Sequence, residues 1–435
     1  MSAGICIMNR NAIAMAADSA VTVGDHVAIH NSANKLFSLS KVAPVGVIIY
    51  ANGALMDVPV EIIVKEYKKN LKTRTYPSLQ EYVDDFISYL EGHCDLFRFT
   101  LNEEKYVLAV FVNLIQGLDL GYKQFLNEMT VNVGGRELNE SELQQVAKQA
   151  VDQTISFVEH QNKVPEFSFT DYIEKNYRAK FREMFENTPE FKWLSVEQIE
   201  TLLDKIADLY DTEFERNGYV GIAIAGFGDA EIFPHMVHIH LSGIINGKAR
   251  YIVKEKVEIT EQNIASIVPL AQTDVMQTFL FGLNDQFIND LAREIPTRIH
   301  ESINNLDANC FAPGKKDEVH KELNGVTEKI LQHMTETAQT NYMIPIIQSV
   351  ATLPIEELAL LAESMINITS VRRKVAIDRN IGTVGGPIDV SIISKGDGFI
   401  WLKRKHYFER KYNPQFFYSH YESGKESEIE NDELE

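Results

Sequence analysis

Segments with the two-residue period of β-strands occur at widely separated places in this chain, and two long stretches with the 3.6-residue period of helices lie between them. Residues 3–17 alternate small and apolar side chains around Asn9-Arg10-Asn11, which reads as two strands joined by a tight turn. "VGVIIYANG" is a further buried strand, and "DVPVEIIVKEYKKNL" follows it as an amphipathic helix. Strands return in "YVGIAIAGFGDAEIFPHMVHIHLSGIINGKARYIV", where Asn246-Gly247 is a favoured type I′ hairpin pair. The closing "VGGPIDVSIISKGDGFIWLKRKHYF" is another hairpin, with Asp397-Gly398 at its turn. Hairpins dispersed among helices predict an α+β layered sandwich and argue against a doubly wound parallel sheet.

The helical stretches set the expected boundaries. Residues 1–75 form the first part of a β-rich core, 76–217 a helical insertion, and 218–261 further core strands. A second helical region covers 262–375, the closing hairpin 376–421, and an acidic tail poor in apolar residues 422–435, expected to be disordered. Ser78 and Glu81 have the spacing of a capping box, after which Leu79, Tyr82, Val83, Phe86, Ile87 and Leu90 recur at helical intervals.

Composition narrows the function classes. A net charge of −20 repels nucleic acid phosphates and anionic membrane surfaces, so neither is an expected partner. The densest basic run, "WLKRKHYFERK", alternates like a charged sheet edge. No apolar run approaches the roughly 20 residues of a membrane span, and no secretory signal pattern opens the chain, so a cytoplasmic location is expected. Cys6, Cys94 and Cys310 are too dispersed for a disulfide framework or a metal site, and Cys6 reads as a small buried hydrophobe. His238 and His240 share one face of a strand near His235, but no third ligand stands at suitable spacing, so no metal is expected. Asp229 and Glu231 read as turn residues. There is no phosphate-binding glycine loop, so neither ATP nor another cofactor is expected on this chain.

The front of the chain carries the chemistry. Removal of Met1, common before a small second residue, would give Ser2 both a hydroxyl and a free α-amine. Such an amine has an ordinary pKa near 8 and can take the proton of the adjacent hydroxyl, so one residue supplies nucleophile and base. That arrangement needs a cation to tune the amine and steady the oxyanion, and an anion to hold the cation. Asp18, at the end of the second strand, and Lys35, at the start of the next, have those charges.

With these residues in place, "SAGICIMNRNAIAMAADSAVTVG" followed by "NKLF" resembles the N-terminus of proteasome β-subunits and the bacterial proteasome-like protease, members of the N-terminal nucleophile hydrolases. The likeness is good over residues 2–71, weaker over 219–256 and 384–402, and absent from the long helical regions. It implies a four-layer αββα sandwich enlarged by helical insertions, with Ser2 as nucleophile, Asp18 and Lys35 as its charged partners, and Gly53 in "YANGALMD" offering an amide to the oxyanion. Thr383 is a candidate for the group that buttresses the terminus. The implied activity is hydrolysis of amide bonds, chiefly in a peptide or protein substrate, by a homo-oligomer, with a separate ATP-dependent unfoldase as a further partner. The rival expectation is a catalytically silent, proteasome-like assembly protein.

Overall fold

The hairpin at the front forms between β1 (Ala3–Asn9) and β2 (Ala12–Ala17), and both strands are buried along their whole length. A computed structural model describes residues 3–23, 28–30, 32–93, 100–215, 218–306, 315–375, 385–406, 408 and 410–417. After a small pair, β3 (Val21–Val23) with β4 (Ala28–His30), come β5 (Leu36–Ser38) and β6 (Val45–Ala51). A second small pair, β7 (Ala54–Leu55) with β8 (Val58–Pro59), leads into α1 (Val60–Leu71) and α2 (Leu79–Gly92). Then follow α3 (Thr100–Asn132), α4 (Glu140–Glu159), α5 (Thr170–Asn187) and α6 (Val196–Ile206). Strands β9 (Val220–Gly226), β10 (His235–Ile245), β11 (Lys248–Glu258) and β12 (Ala265–Ala271) precede the helices α7 (Asp274–Phe281), α8 (Asp285–Asn304), α9 (Lys315–Ala338), α10 (Ile344–Val350) and α11 (Ile355–Val375). The hairpin of β13 (Asp389–Ser394) and β14 (Gly398–Lys403) follows, and then a short helix, α12 (Pro414–Phe417).

Two five-stranded antiparallel sheets result, one in the order β12-β1-β2-β13-β14 and the other β11-β10-β9-β6-β5. The chain is thus α+β. Strand β1 is interior to its sheet: Ala3 pairs with Ala271 on one side, and Gly4 with Ala17 on the other. Strand β12 corrects the sequence reading, which placed the whole of 262–375 in a helical region. Ile267 and Val268 favour a strand, and Pro269 is tolerated because β12 lies at the sheet edge.

The pleat divides the core. Alternate residues of β1 and β2, including Cys6, Met8, Ile13 and Met15, pack against Ile48, Tyr50, Ala223 and Ala225 of the other sheet. Their neighbours Ile5, Ile7, Ala14 and Ala16 pack instead against Leu358, Ala362 and Ile366 of α11. On the far side of the second sheet, Val64, Tyr67, Tyr82 and Phe86 of α1 and α2 cover Val47, Ile49, Ile222 and Ile239. Helix α2, expected in the insertion, therefore belongs to the sheet core, because its apolar stripe matches that face.

Local signals act where they were expected. Ser78 caps α2 by accepting from the Glu81 N–H, while its own hydroxyl donates to the Glu81 carboxylate. Asn246 and Gly247 have φ of 51° and 74°, the two positive angles a type I′ turn requires. Helices α3 to α6 build a separate core around Phe111, Phe181, Phe185, Leu202 and Tyr210, with Ile245 of β10 in the same cluster. Capping boxes at Asn139 and Ser195 start α4 and α6. The charged β14 is a sheet edge.

Candidate functional site

Asp18 follows directly on β2, and antiparallel pairing returns it beside the start of β1. It is 1% exposed, and its Oδ1 accepts the N–H of Ala3 at 2.9 Å while its own N–H donates to the Ala3 carbonyl at 3.1 Å. Its Oδ2 accepts from Gly385 N–H at 3.1 Å and Ala20 N–H at 3.2 Å. Four elements of chain thus converge on one carboxylate when Lys35 is added: the Lys35 ammonium lies 2.6 Å from Oδ1 and donates to the Ala20 carbonyl at 2.5 Å. Lys35 is 4% exposed. Burial pulls its pKa below the ordinary lysine range, with the Asp18 charge opposing.

An ammonium has three N–H donors, and the third on Lys35 has no acceptor among the described residues. Removing two charges from water costs several kcal/mol, which close geometry and extra hydrogen bonds offset here. A second buried pair adjoins the first. Asp389 pairs with Ala17 across the sheet and binds the Lys405 ammonium, whose charge also disfavours protonated Lys35. The sequence offered no sign of this second pair, whose members join β13 to the segment after β14. Ser2 and Thr383 lie outside the described residues.

Gly53 stands at the exit of β6. Ala51 just before it has φ 62°, and Met56 and Asp57 just after it have φ of 48° and 68°, left-handed angles that cost non-glycine residues energy. Three strained residues within seven fix the course of this loop. Its carbonyl at Gly53 accepts from Val60 N–H at 2.9 Å, and nothing lies within 4 Å of where a side chain at Gly53 would begin. Gly53 faces a cavity of about 530 Å³, walled by its own loop and by Asn102, Lys105 and Tyr106 of α3. Asp18 and Lys35 do not line that cavity. Lys35 is tied to the same strand, however, since its carbonyl accepts from Ile49 N–H at 2.8 Å.

Just behind the loop sits a buried polar chain that the sequence reading missed. The Tyr50 hydroxyl lies 2.5 Å from His238 Nε2 and 2.9 Å from His240 Nε2, and His240 Nδ1 lies 2.9 Å from Glu215 Oε2. Tyr219 stacks on His240 at 3.7 Å between ring centres. In one arrangement that these contacts allow, His240 donates through Nδ1 to the carboxylate, its Nε2 accepts from Tyr50, and Tyr50 accepts from His238 Nε2–H. Burial, then His240 and Lys254, lowers the His238 pKa to about 4, keeping that ring neutral. The two histidines do share one face, as their spacing indicated, but their common partner is a tyrosine. His235 instead meets Glu231 at 2.9 Å. Glu231 also accepts from the N–H groups of Gly228 and Leu79, so it closes a turn and fastens α2.

Among the described residues, no group of three or more His, Cys, Asp and Glu is placed to hold a metal ion, and no helix is long and apolar enough to cross a membrane. Cys6 is buried between the sheets, and burial raises its thiol pKa far above the reactive range. No protein-family model matches the chain, and no curated protein matches its sequence. The reading of the site therefore rests on its geometry and on the residue pattern at the front of the chain.

Proposed function

We propose that the chain is an N-terminal nucleophile hydrolase of the proteasome-like type, cleaving amide bonds, chiefly of peptides, with Ser2 as nucleophile after loss of Met1. The observation that carries this reading is the buried Asp18–Lys35 pair wired to the backbone of Ala3, the residue next to that serine. A buried ion pair at a strand start, held by backbone from four parts of the chain, is poorly explained by stability alone. The packing of α1 and α2 on one sheet and α11 on the other suits the αββα sandwich of those enzymes.

In this mechanism the Ser2 hydroxyl oxygen attacks the substrate carbonyl carbon, and its proton passes to the Ser2 α-amine. That amine then protonates the departing amine as the C–N bond breaks, leaving an ester on Ser2. Water attacks the ester carbonyl and gives a proton to the α-amine, which returns it to Ser2 Oγ as the acyl C–O bond breaks, releasing the acid product and restoring the hydroxyl. Lys35, positioned by Asp18, steadies the negative charge near the terminus, and the Gly53 amide serves the oxyanion.

The test is intact mass before and after exposure to a small β-lactone. Loss of Met1 and one added acyl group on the N-terminal peptide are expected, absent in Ser2→Ala and retained in Ser2→Thr. Retention of Met1 on every molecule would instead favour a silent assembly protein of the same fold, because a blocked amine has no base to offer.

A further inference from the structure

The buried ion pair at the front of the chain is enclosed by residues around the last hairpin. Asp18 Oδ2 accepts from Gly385 N–H, and Ser19 returns two bonds to the same segment, its N–H donating to the Gly385 carbonyl at 3.2 Å and its hydroxyl to the Pro387 carbonyl at 2.5 Å. Two residues further on, Asp389 stands opposite Ala17. Residues directly opposite in an antiparallel pair share one face of the sheet, and this face looks toward the second sheet, since Ala17 and Ile393 pack there. The Asp389 side chain is therefore turned into the space between the sheets, opposite the neighbour of Asp18.

Lys405 meets it from beyond β14. Its ammonium and its backbone N–H both go to the Asp389 carboxylate, the N–H reaching Oδ1 at 2.9 Å. The two side chains are 11% and 4% exposed. Fastening this segment does not require charge, because burying two ions costs more than burying an apolar pair of the same volume. What the charged pair adds is a second cation close to Lys35. Burial lowers the proton affinity of Lys35, Asp18 raises it, and Lys405 lowers it again. Glu61 of α1 lies within reach of the same Lys405 charge, and it is already held by Lys65 at 2.6 Å and by the Asn34 side chain at 2.9 Å.

We propose that Lys405 is a positioning residue of the hydrolytic site, fixed by Asp389 so that a second positive charge stands close to Lys35. Two cations near the terminus disfavour a third, which keeps the Ser2 α-amine neutral and able to accept a proton at lower pH. The effect on the reaction rests on the hydrolase reading; the coupling of Lys405 to Lys35 does not. The experiment therefore has two arms. In the first, the Lys35 side chain of Ser2→Ala protein carrying 13C-labelled lysine is titrated by NMR. Lys35 is expected to lose its proton at higher pH when Lys405→Met is added, and at the original pH with Lys405→Arg. Lys405→Met strands the Asp389 carboxylate and weakens the fold, so Asp389→Asn/Lys405→Met, which removes both charges, is titrated as well and should move Lys35 less but in the same direction. In the second arm, acylation by a small β-lactone is followed against pH. Lys405→Met is expected to be about three- to tenfold slower than wild type at pH 7 and equal to it at pH 9, with Lys405→Arg retaining the wild-type profile. Thermal unfolding verifies that each variant is folded. An unmoved Lys35 titration in the folded variants, or acylation slowed equally at every pH, overturns the proposal. A Lys35 titration that moves as expected in protein that the lactone never acylates leaves the coupling standing and removes the hydrolase reading.

Discussion

The ring of Tyr50 lies directly over Gly221: a side chain begun at residue 221 would sit 2.2 Å from Tyr50 Cζ. Gly221 pairs with Tyr50 on β6 and with His240 on β10, so the missing side chain is the passage by which Tyr50 reaches a histidine two strands away. Gly221→Ala should therefore lower stability by about 1–3 kcal/mol through overpacking. Urea unfolding measures this, and an unchanged midpoint would mean that the ring moves aside freely.

Lys35→Met leaves the Asp18 carboxylate buried without its cation, and a loss of about 3–5 kcal/mol is expected. Asp18→Asn combined with Lys35→Met removes both charges and should cost less than Lys35→Met alone. If the double variant is the less stable of the two, the pair is not coupled as its 2.6 Å separation indicates.

Acid should weaken the fold through His238, which is 8% exposed. Its folded pKa of about 4 lies below the unfolded value near 6.5, so between those limits the unfolded chain binds a proton that the folded chain refuses. Stability from this group is full above pH 6.5 and falls with pH down to about 4, by as much as about 3 kcal/mol. Unfolding free energies measured across that window should flatten in His238→Gln. A wild-type profile without this slope would place the histidine in contact with water.

The outer face of α11 carries Leu360, Ile368, Val371 and Val375 at helical spacing, each between 46% and 71% exposed. A stripe of this kind calls for cover, which a second copy of the chain would supply. Light scattering at micromolar concentration is expected to report a homo-oligomer, and Ile368→Glu with Val371→Glu to dissociate it. A strict monomer before mutation contradicts the assignment.

What the sequence discloses divides by distance along the chain. The Asn246-Gly247 turn, the Ser78 cap and the stripe of α1 are each decided within a dozen residues, and all appear in the structure. Asp18 and Lys35 are legible because each stands at a strand end, Asp18 after β2 and Lys35 before β5, on either side of the small β3–β4 pair. Strand β12 was hidden because its small and half-buried residues give only a shallow alternation. Tyr50, Glu215 and His240 have no shared local signal: a polar residue declares its partner only once strands from distant parts of the chain lie side by side. The destination of α2 was obscured likewise, since an apolar stripe records that a helix is covered but not by what.

The register between Ala3 and Ala271 sets a timetable for synthesis. Strand β1 is made long before its outer neighbour: Ala271, the partner of Ala3, follows it by 268 residues, roughly tens of seconds at bacterial or eukaryotic elongation rates. The other sheet waits too, for β9 beyond the helical block. Helices α3 to α6 hold their own apolar core and consist largely of local contacts, so they can condense while the chain is still being made. The first hairpin, apolar on both faces, meanwhile has nothing to close it. A nascent chain of this topology spends its most aggregation-prone interval with its earliest strands exposed, and its yield in a cell should depend on chaperones that hold that hairpin until the last third of the protein emerges.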